Sequence, residues 1–315
     1  MQIRGFGRVI VASWRTYADF LKRKQIALHL AAKLGRGRGQ MRWLDQVNPP
    51  PAAKVRPDLS GWEDRELSAV WIGHATVLLR IGRMTVLTDP VFSNRVGLGL
   101  GLMTLGPRRY IAAALTPRQL PKVDLILSSH AHFDHLDRPS LAMLDRKTPV
   151  VMADKTRDLV WDLGFRNVTE LRWGETARFN GLAITARQVA HWGARTFLDR
   201  HRGYNGYLLE SNGRRVLYGG DTAYQEWFKD AGPVNLAIMG IGAYDPYIHA
   251  HASPEQVWTM ADQMRADFVM PVHHSTFRLS HEPMNEPLQR IMTAAGKETD
   301  RIVIREVGET WRLEN

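Results

Sequence analysis

Four metal-ligand side chains fall within six residues at His130-Ala131-His132-Phe133-Asp134-His135, directly after the apolar run Leu125-Ile126-Leu127. A buried strand that opens into such a cluster commits the chain to a rigid scaffold delivering a metal site at a strand end. In an extended or tightly turned segment alternate side chains leave on one side, so His130 and His132 can face one metal together. Asp134 and His135 then fall to a neighbouring metal. Imidazole nitrogen and carboxylate oxygen suit zinc, manganese or iron. The chain contains no Cys, which excludes thiolate metal sites and thiol catalysis.

Four ligands do not complete two metal ions, so further ligands are expected at other strand ends. His191 follows the strand-like Leu182-Ala183-Ile184-Thr185-Ala186-Arg187-Gln188-Val189, Asp221 follows Val216-Leu217-Tyr218-Gly219-Gly220, and His273 follows Phe268-Val269-Met270-Pro271-Val272. Each lies where an apolar strand gives way to a loop. Any one of them alone would more often be a satisfied structural residue. Together with the cluster they read as metal ligands.

The spacing resembles that of the metallo-β-lactamase superfamily, in which a His-x-His-x-Asp-His motif is completed by a distant His, an Asp and a last His. Within it, Trp71-Ile72-Gly73-His74-Ala75-Thr76, Leu87-Thr88-Asp89-Pro90-Val91-Phe92-Ser93, Gly106-Pro107-Arg108-Arg109, Ala190-His191-Trp192, Gly220-Asp221-Thr222, Ile241-Gly242-Ala243-Tyr244 and His273-His274-Ser275-Thr276-Phe277 resemble the N-acyl-phosphatidylethanolamine phospholipase D branch. The likeness covers residues 61 to 287. It implies that His130, His132 and His191 hold one metal, that Asp134, His135 and His273 hold the second, and that Asp221 bridges them. It implies that Asp89 orients the metal-binding loop and that His251 lines the substrate pocket. His74 is read as either structural or pocket-lining, and His29, His201, His249 and His281 as surface residues. The branch usually has Trp where His274 stands and Gly where Ser275 stands, a departure that bears on lipid specificity.

The expected activity is binuclear, metal-dependent hydrolysis of a phosphodiester, of phospholipase D type, with Asp134, Asp221 and His251 as catalytic residues. Two divalent ions, zinc first with manganese or iron as alternatives, contribute +4. Asp134, Asp221 and a bridging hydroxide leave about +1, which attracts a phosphodiester anion. The alternatives are a soluble lactonase, similar to ascorbate-6-phosphate lactonases, or a nucleic-acid phosphodiesterase on the same metal core. A non-catalytic lipid-binding protein on the same fold is disfavoured by ligands at all seven positions.

The net charge of +10 is uneven: residues 1–42 contain ten Lys or Arg and one acid, Asp19, so this segment carries +9. Ile10, Trp14, Tyr17, Leu21 and Leu28 recur there at helical spacing, flanked by Arg8, Arg15, Lys22, Arg23, Lys24 and Lys33. Such a basic amphipathic helix suits an anionic membrane surface. The near-neutral remainder argues against a broad nucleic-acid groove. With Pro49-Pro50-Pro51 as a stiff linker, the expected division is a basic extension over 1–60 and a catalytic domain over 61–315. No apolar run approaches the ~20 residues that span a bilayer. The chain is therefore expected in the cytoplasm, peripheral to the inner face of the membrane. Strand-like runs alternate with helical stretches at Lys155–Leu163, Tyr224–Lys229, Pro254–Met264 and Leu288–Ala295, which predicts an α/β domain. The resemblance makes it the four-layer αβ/βα sandwich, with the metals at one edge between the sheets.

Overall fold

Residues 43–196 and 199–314 are described by a computed structural model. The basic stripe of residues 1–42 lies outside the described residues.

Three strands, β1 (Leu67–Gly73), β2 (Thr76–Ile81) and β3 (Met84–Thr88), form an antiparallel meander. A separate hairpin follows, β4 (Leu98–Leu100) and β5 (Met103–Leu105). The chain then returns as β6 (Leu125–Ser128), β7 (Val150–Ala153) and β8 (Val168–Leu171), parallel to one another and to β3. A second sheet comprises β9 (Thr176–Phe179), β10 (Leu182–Arg187), β11 (Gly206–Ser211), β12 (Arg214–Tyr218), β13 (Val234–Gly240) and β14 (Ala266–Val272). The last strand, β15 (Thr310–Arg312), rejoins the first sheet beside β1. The strand orders are β15-β1-β2-β3-β6-β7-β8 and β14-β13-β12-β11-β10-β9.

Alternation along the strands sorts side chains into layers. Leu67, Ala69 and Trp71 of β1, Leu125 and Leu127 of β6, Leu182 and Ile184 of β10, and Val216 and Tyr218 of β12 meet in one core between the sheets. Their neighbours point outward. Ile126 of β6 packs with Leu141, Val160 and Phe165 on one outer face. On the other, Leu217, Ala237 and Met239 pack with Val257, Met260 and Ile291.

Helices cover both outer faces. After a single turn at α1 (Trp43–Gln46), the first sheet carries α2 (Arg138–Leu141) and α3 (Asp158–Trp161), and the second carries α4 (Pro254–Gln263) and α5 (Glu286–Ala295). The result is the four-layer αβ/βα sandwich. Helix α4 starts where its sequence demands: Ser253 Oγ accepts from Gln256 N at 3.3 Å, the Gln256 side chain accepts from Ser253 N at 3.0 Å, and Pro254 opens the helix.

Two expected helices are shorter than their sequence suggested. Over Lys155–Leu163 only the turn α3 forms, because Lys155 is left-handed (φ 59°) and Glu170 Oε1 accepts from both Thr156 N and Arg157 N. Over Tyr224–Lys229 the chain makes a 3-10 turn, Trp227–Ala231, stopped by Gly232. The Pro-rich segment is bonded to the body rather than free of it: Ala112 N donates to Pro51 O, and Arg312 donates to Asp58 Oδ2 at 2.7 Å. Among the described residues no helix is long and apolar enough to cross a membrane.

Candidate metal centre

The strand ends of both sheets deliver the donors. The His130–His135 loop leaves β6, His191 follows β10, Asp221 lies three residues beyond β12, and His273 directly follows β14. The close approach needs glycine at specific places. A Cβ on Gly242 would lie 2.2 Å from His273 O, and one on left-handed Gly220 would lie 2.8 Å from Asn205 O. Non-glycine residues at positive φ gather here as well: His74 (55°), Asp89 (31°) and His273 (63°). Such backbone persists only where its surroundings over-determine it, and it concentrates at functional sites.

One donor set is built of imidazoles. His130 Nε2 lies 2.9 Å and His191 Nε2 3.2 Å from His132 Nδ1, and both Nε2 atoms lie 3.8 Å from Asp221 Oδ2. Burial holds His130 and His191 well below the ordinary imidazole range and lowers His132, so all three offer lone pairs. Their tautomers follow from their partners. His191 Nδ1 donates to Ala250 O at 3.0 Å, which leaves Nε2 unprotonated. Ser129 Oγ gives its proton to Asp89, so it accepts from His130 Nδ1 at 2.9 Å and frees His130 Nε2.

The second set mixes charge. His135 Nε2 lies 3.0 Å and His273 Nε2 3.2 Å from Asp221 Oδ2, while Asp134 Oδ2 lies 3.4 Å from His273 Nε2 and 2.9 Å from His74 Nε2. Burial alone would raise both carboxyls, but the facing imidazoles outweigh it and hold Asp134 and Asp221 well below the ordinary carboxylate range. Burial likewise works against charge on His273, yet Asp221 and Asp134 push it up to about 9.

A cation fits these donors on physical grounds. His135 Nε2 and His273 Nε2 are buried and lack any aligned hydrogen-bond partner despite their short approach to Asp221. Leaving such atoms unsatisfied costs about 1–3 kcal/mol each, a cost that coordination removes. The groups His74/Asp134/His135/His273 and His130/His132/His191/Asp221 each present ligand atoms within 4.8 Å of one another.

Supporting groups come from distant segments. Asp89 is fully buried; its Oδ2 accepts from His135 Nδ1 (2.7 Å), Ser129 Oγ (2.5 Å) and Tyr218 OH (2.5 Å), and its Oδ1 accepts from Ser129 N (2.7 Å). This fixes His135 with Nε2 toward the centre. Arg195 donates to Ala131 O and Leu136 O and lies over Phe133, clamping the loop from outside. Sequence reasoning missed Tyr218, Ser129 and Arg195. The signal for His74, an imidazole in a Gly-His-Ala-Thr turn, was present but undecided.

His251 stands at the mouth, its side chain 11% exposed, with Nδ1 3.9 Å from Asp221 Oδ2 and its ring 5.3 Å from that of His273. His274 and Ser275 lie behind His273: the His274 ring packs 4.6 Å from Trp71, and Ser275 Oγ donates to Met284 O. His201, His249 and His281 are exposed, as expected; His29 lies outside the described residues.

Comparison with known proteins agrees with this geometry. The family model of the β-lactamase superfamily domain matches residues 84–274. The chain is 30% identical over 264 residues to an uncharacterised protein of Mycobacterium tuberculosis, covering 79% of this chain and 70% of that one. It is 30% identical over 274 residues to the N-acyl-phosphatidylethanolamine-hydrolyzing phospholipase D 1 of Caenorhabditis elegans, covering 78% of this chain and 75% of that one. Among solved structures, the isothiocyanate hydrolase from Delia radicum gut bacteria superposes with a TM-score of 0.63 at 18% identity, over 78% of this chain and 99% of that one. Fold and donor sets together define a metal-dependent hydrolase. The chain belongs to the β-lactamase superfamily.

Proposed function

We propose that the protein is a binuclear phosphodiesterase of phospholipase D type, acting on N-acyl-phosphatidylethanolamine or a closely similar phospholipid. The observation that carries this reading is Asp221 Oδ2, which stands between the two donor sets, 3.0 and 3.2 Å from one and 3.8 Å from two members of the other. His130, His132 and His191 would hold one ion, Asp134, His135 and His273 the second, and Asp221 both. Zinc suits these nitrogen and oxygen donors, with manganese and iron as alternatives. When bound, two such ions supply positive charge to a phosphodiester and lower the pKa of a coordinated water.

The chain's own residues do the rest. Asp134 and Asp221 stay ionised and balance the charge. Asp89 keeps His135 oriented, and His251 reaches the substrate from the mouth. Trp192, 43% exposed, lines the same opening with its ring 4.9 Å from His132 and 4.5 Å from His191, offering an apolar wall to a lipid. The curated C. elegans and Saccharomyces cerevisiae relatives, the latter 32% identical, are named for hydrolysis of N-acyl-phosphatidylethanolamine. This reading places the protein peripherally at the cytoplasmic face of a membrane, with residues 1–42 as a basic contact.

The test is mass spectrometry of products after the metal-loaded protein meets liposomes containing N-acyl-phosphatidylethanolamine, beside Asp134→Ala. Phosphatidic acid and N-acylethanolamine from the wild type alone are expected. No product, with two metals bound, would move the assignment to lactonase chemistry.

A further inference from the structure

His74 is a buried imidazole at the centre to which neither ligand set assigns a role. It occupies the turn between β1 and β2, fully buried and left-handed at φ 55°. Glycine or asparagine makes a turn of that shape at lower cost, so the backbone does not account for an imidazole there. Packing alone does not account for it either. His74 Nδ1 is buried without a hydrogen-bond partner, a cost that an apolar ring of similar shape would avoid.

This one residue reaches two donors that come from opposite sheets. Its carbonyl accepts from His273 N at 3.1 Å and from Trp71 Nε1 at 2.8 Å, and its own N–H donates to Thr276 Oγ1 at 2.8 Å. Its ring lies 4.1 Å from that of His273 and 5.1 Å from that of Phe277. On the other side, Nε2 stands 2.9 Å from Asp134 Oδ2. Among the described residues no other aligned hydrogen bond reaches the Asp134 carboxylate: His273 Nε2 and His135 Nε2 approach it at 3.4 and 3.6 Å without one. A carboxylate that serves as a ligand only accepts, so the proton of the short contact belongs to His74 Nε2. Nδ1 is then the unprotonated nitrogen, in keeping with the absence of an acceptor beside it. A nitrogen that carries a proton has no lone pair for a cation. That separates His74 from His135 and His273, whose Nε2 atoms face the centre without an aligned partner.

We infer that His74 is a positioning residue for the second donor set: it donates from Nε2 to Asp134 while its carbonyl holds His273, and so fixes the spacing of two ligands from different sheets. The inference rests on the two-metal reading of the centre. Its test begins with the full-length, metal-free protein titrated with zinc against a competing chelator. His74→Phe keeps a ring and deletes the donor; it should weaken one of the two binding steps by ~10–100-fold and leave the other unchanged. His74→Gln, whose amide can donate to the same carboxylate, should recover most of that loss. Affinities in His74→Phe equal to those of wild type would overturn the inference, as would a His74→Gln variant no tighter than His74→Phe. Loss of one whole metal equivalent from both variants would overturn it too, by making His74 a ligand.

A second measurement does not depend on metal. Long-range proton–nitrogen correlation spectra of the metal-free wild type, with His74 assigned by its absence from His74→Gln, should show the Nε2–H tautomer. Asp134→Asn should move that proton's resonance. The Nδ1–H tautomer, or a resonance indifferent to Asp134→Asn, would overturn the inference. A wild type that binds one equivalent, with the tautomer and the rescue by glutamine as expected, would uphold His74 and defeat the binuclear reading. Both affinities behaving as expected while no phospholipid is cleaved would uphold His74 and defeat the phospholipase reading.

Discussion

The two donor sets share Asp221 and one edge of the sandwich, yet they are supported in different ways. His130, His132 and His191 are three imidazoles kept neutral by burial, oriented by a backbone carbonyl and a serine, with His132 beside the half-exposed Trp192. Asp134, His135 and His273 combine an ionised carboxylate with two imidazoles, and His135 is held by the buried Asp89 carboxylate, which three further hydrogen bonds fix in place. The first set is the more open side, with His132 and His191 only partly buried. The second depends on its support, since a charged buried group tolerates little misplacement.

The largest effect is expected where the sets meet. Asp221→Ala removes the shared oxygen and should reduce metal content at both sets and lower kcat/KM by ~10³-fold or more. Elemental analysis that still found two full equivalents would break the idea of a shared ligand. Asp89→Asn acts on one set only: it keeps shape but exchanges an acceptor for a donor facing His135, and should weaken metal affinity there by ~10–100-fold. Equal weakening of both sets in a two-site titration would erase the distinction.

The smallest effect belongs to the outer layer and serves as a control. Glu255 is held down at about 2 by its hydrogen bonds to Arg290, which joins α4 to α5. A carboxylate lowered in the folded state stabilises above its unfolded pKa of 4.5, and that contribution fades as pH falls toward 2. Both side chains are more than a third exposed, so screening limits the pair to under ~1 kcal/mol. Thermal melts of Glu255→Gln against wild type should differ slightly at pH 6 and converge near pH 2, with turnover unaffected. A loss of activity would connect the outer layer to the centre.

Much of the centre was legible because metal chemistry restricts residue type and strand geometry restricts spacing. His130, His132, Asp134 and His135 are local in sequence, and His191, Asp221 and His273 each end an apolar run, so seven donors could be named before any fold was known. The structure brings all seven to one edge. Helix α4 was legible for a similar local reason, its Ser-Pro-x-Gln start. The turn α3 was less so, because Glu170, fourteen residues from Thr156, takes the amides that a longer helix would use.

What the sequence by itself determined was the inventory: which atoms could bind a cation, which strands alternate, and where the charge lies along the chain. Only the tertiary structure decided that Ser129 and His135 of one loop and Tyr218 of a strand in the other sheet share the buried carboxylate of Asp89, and that His74 faces Asp134. The physical reason is range. Periodicity and ligand chemistry act over a few residues and are written locally, whereas a hydrogen bond between residues 129 positions apart, such as Tyr218 to Asp89, exists only once two sheets have packed in register.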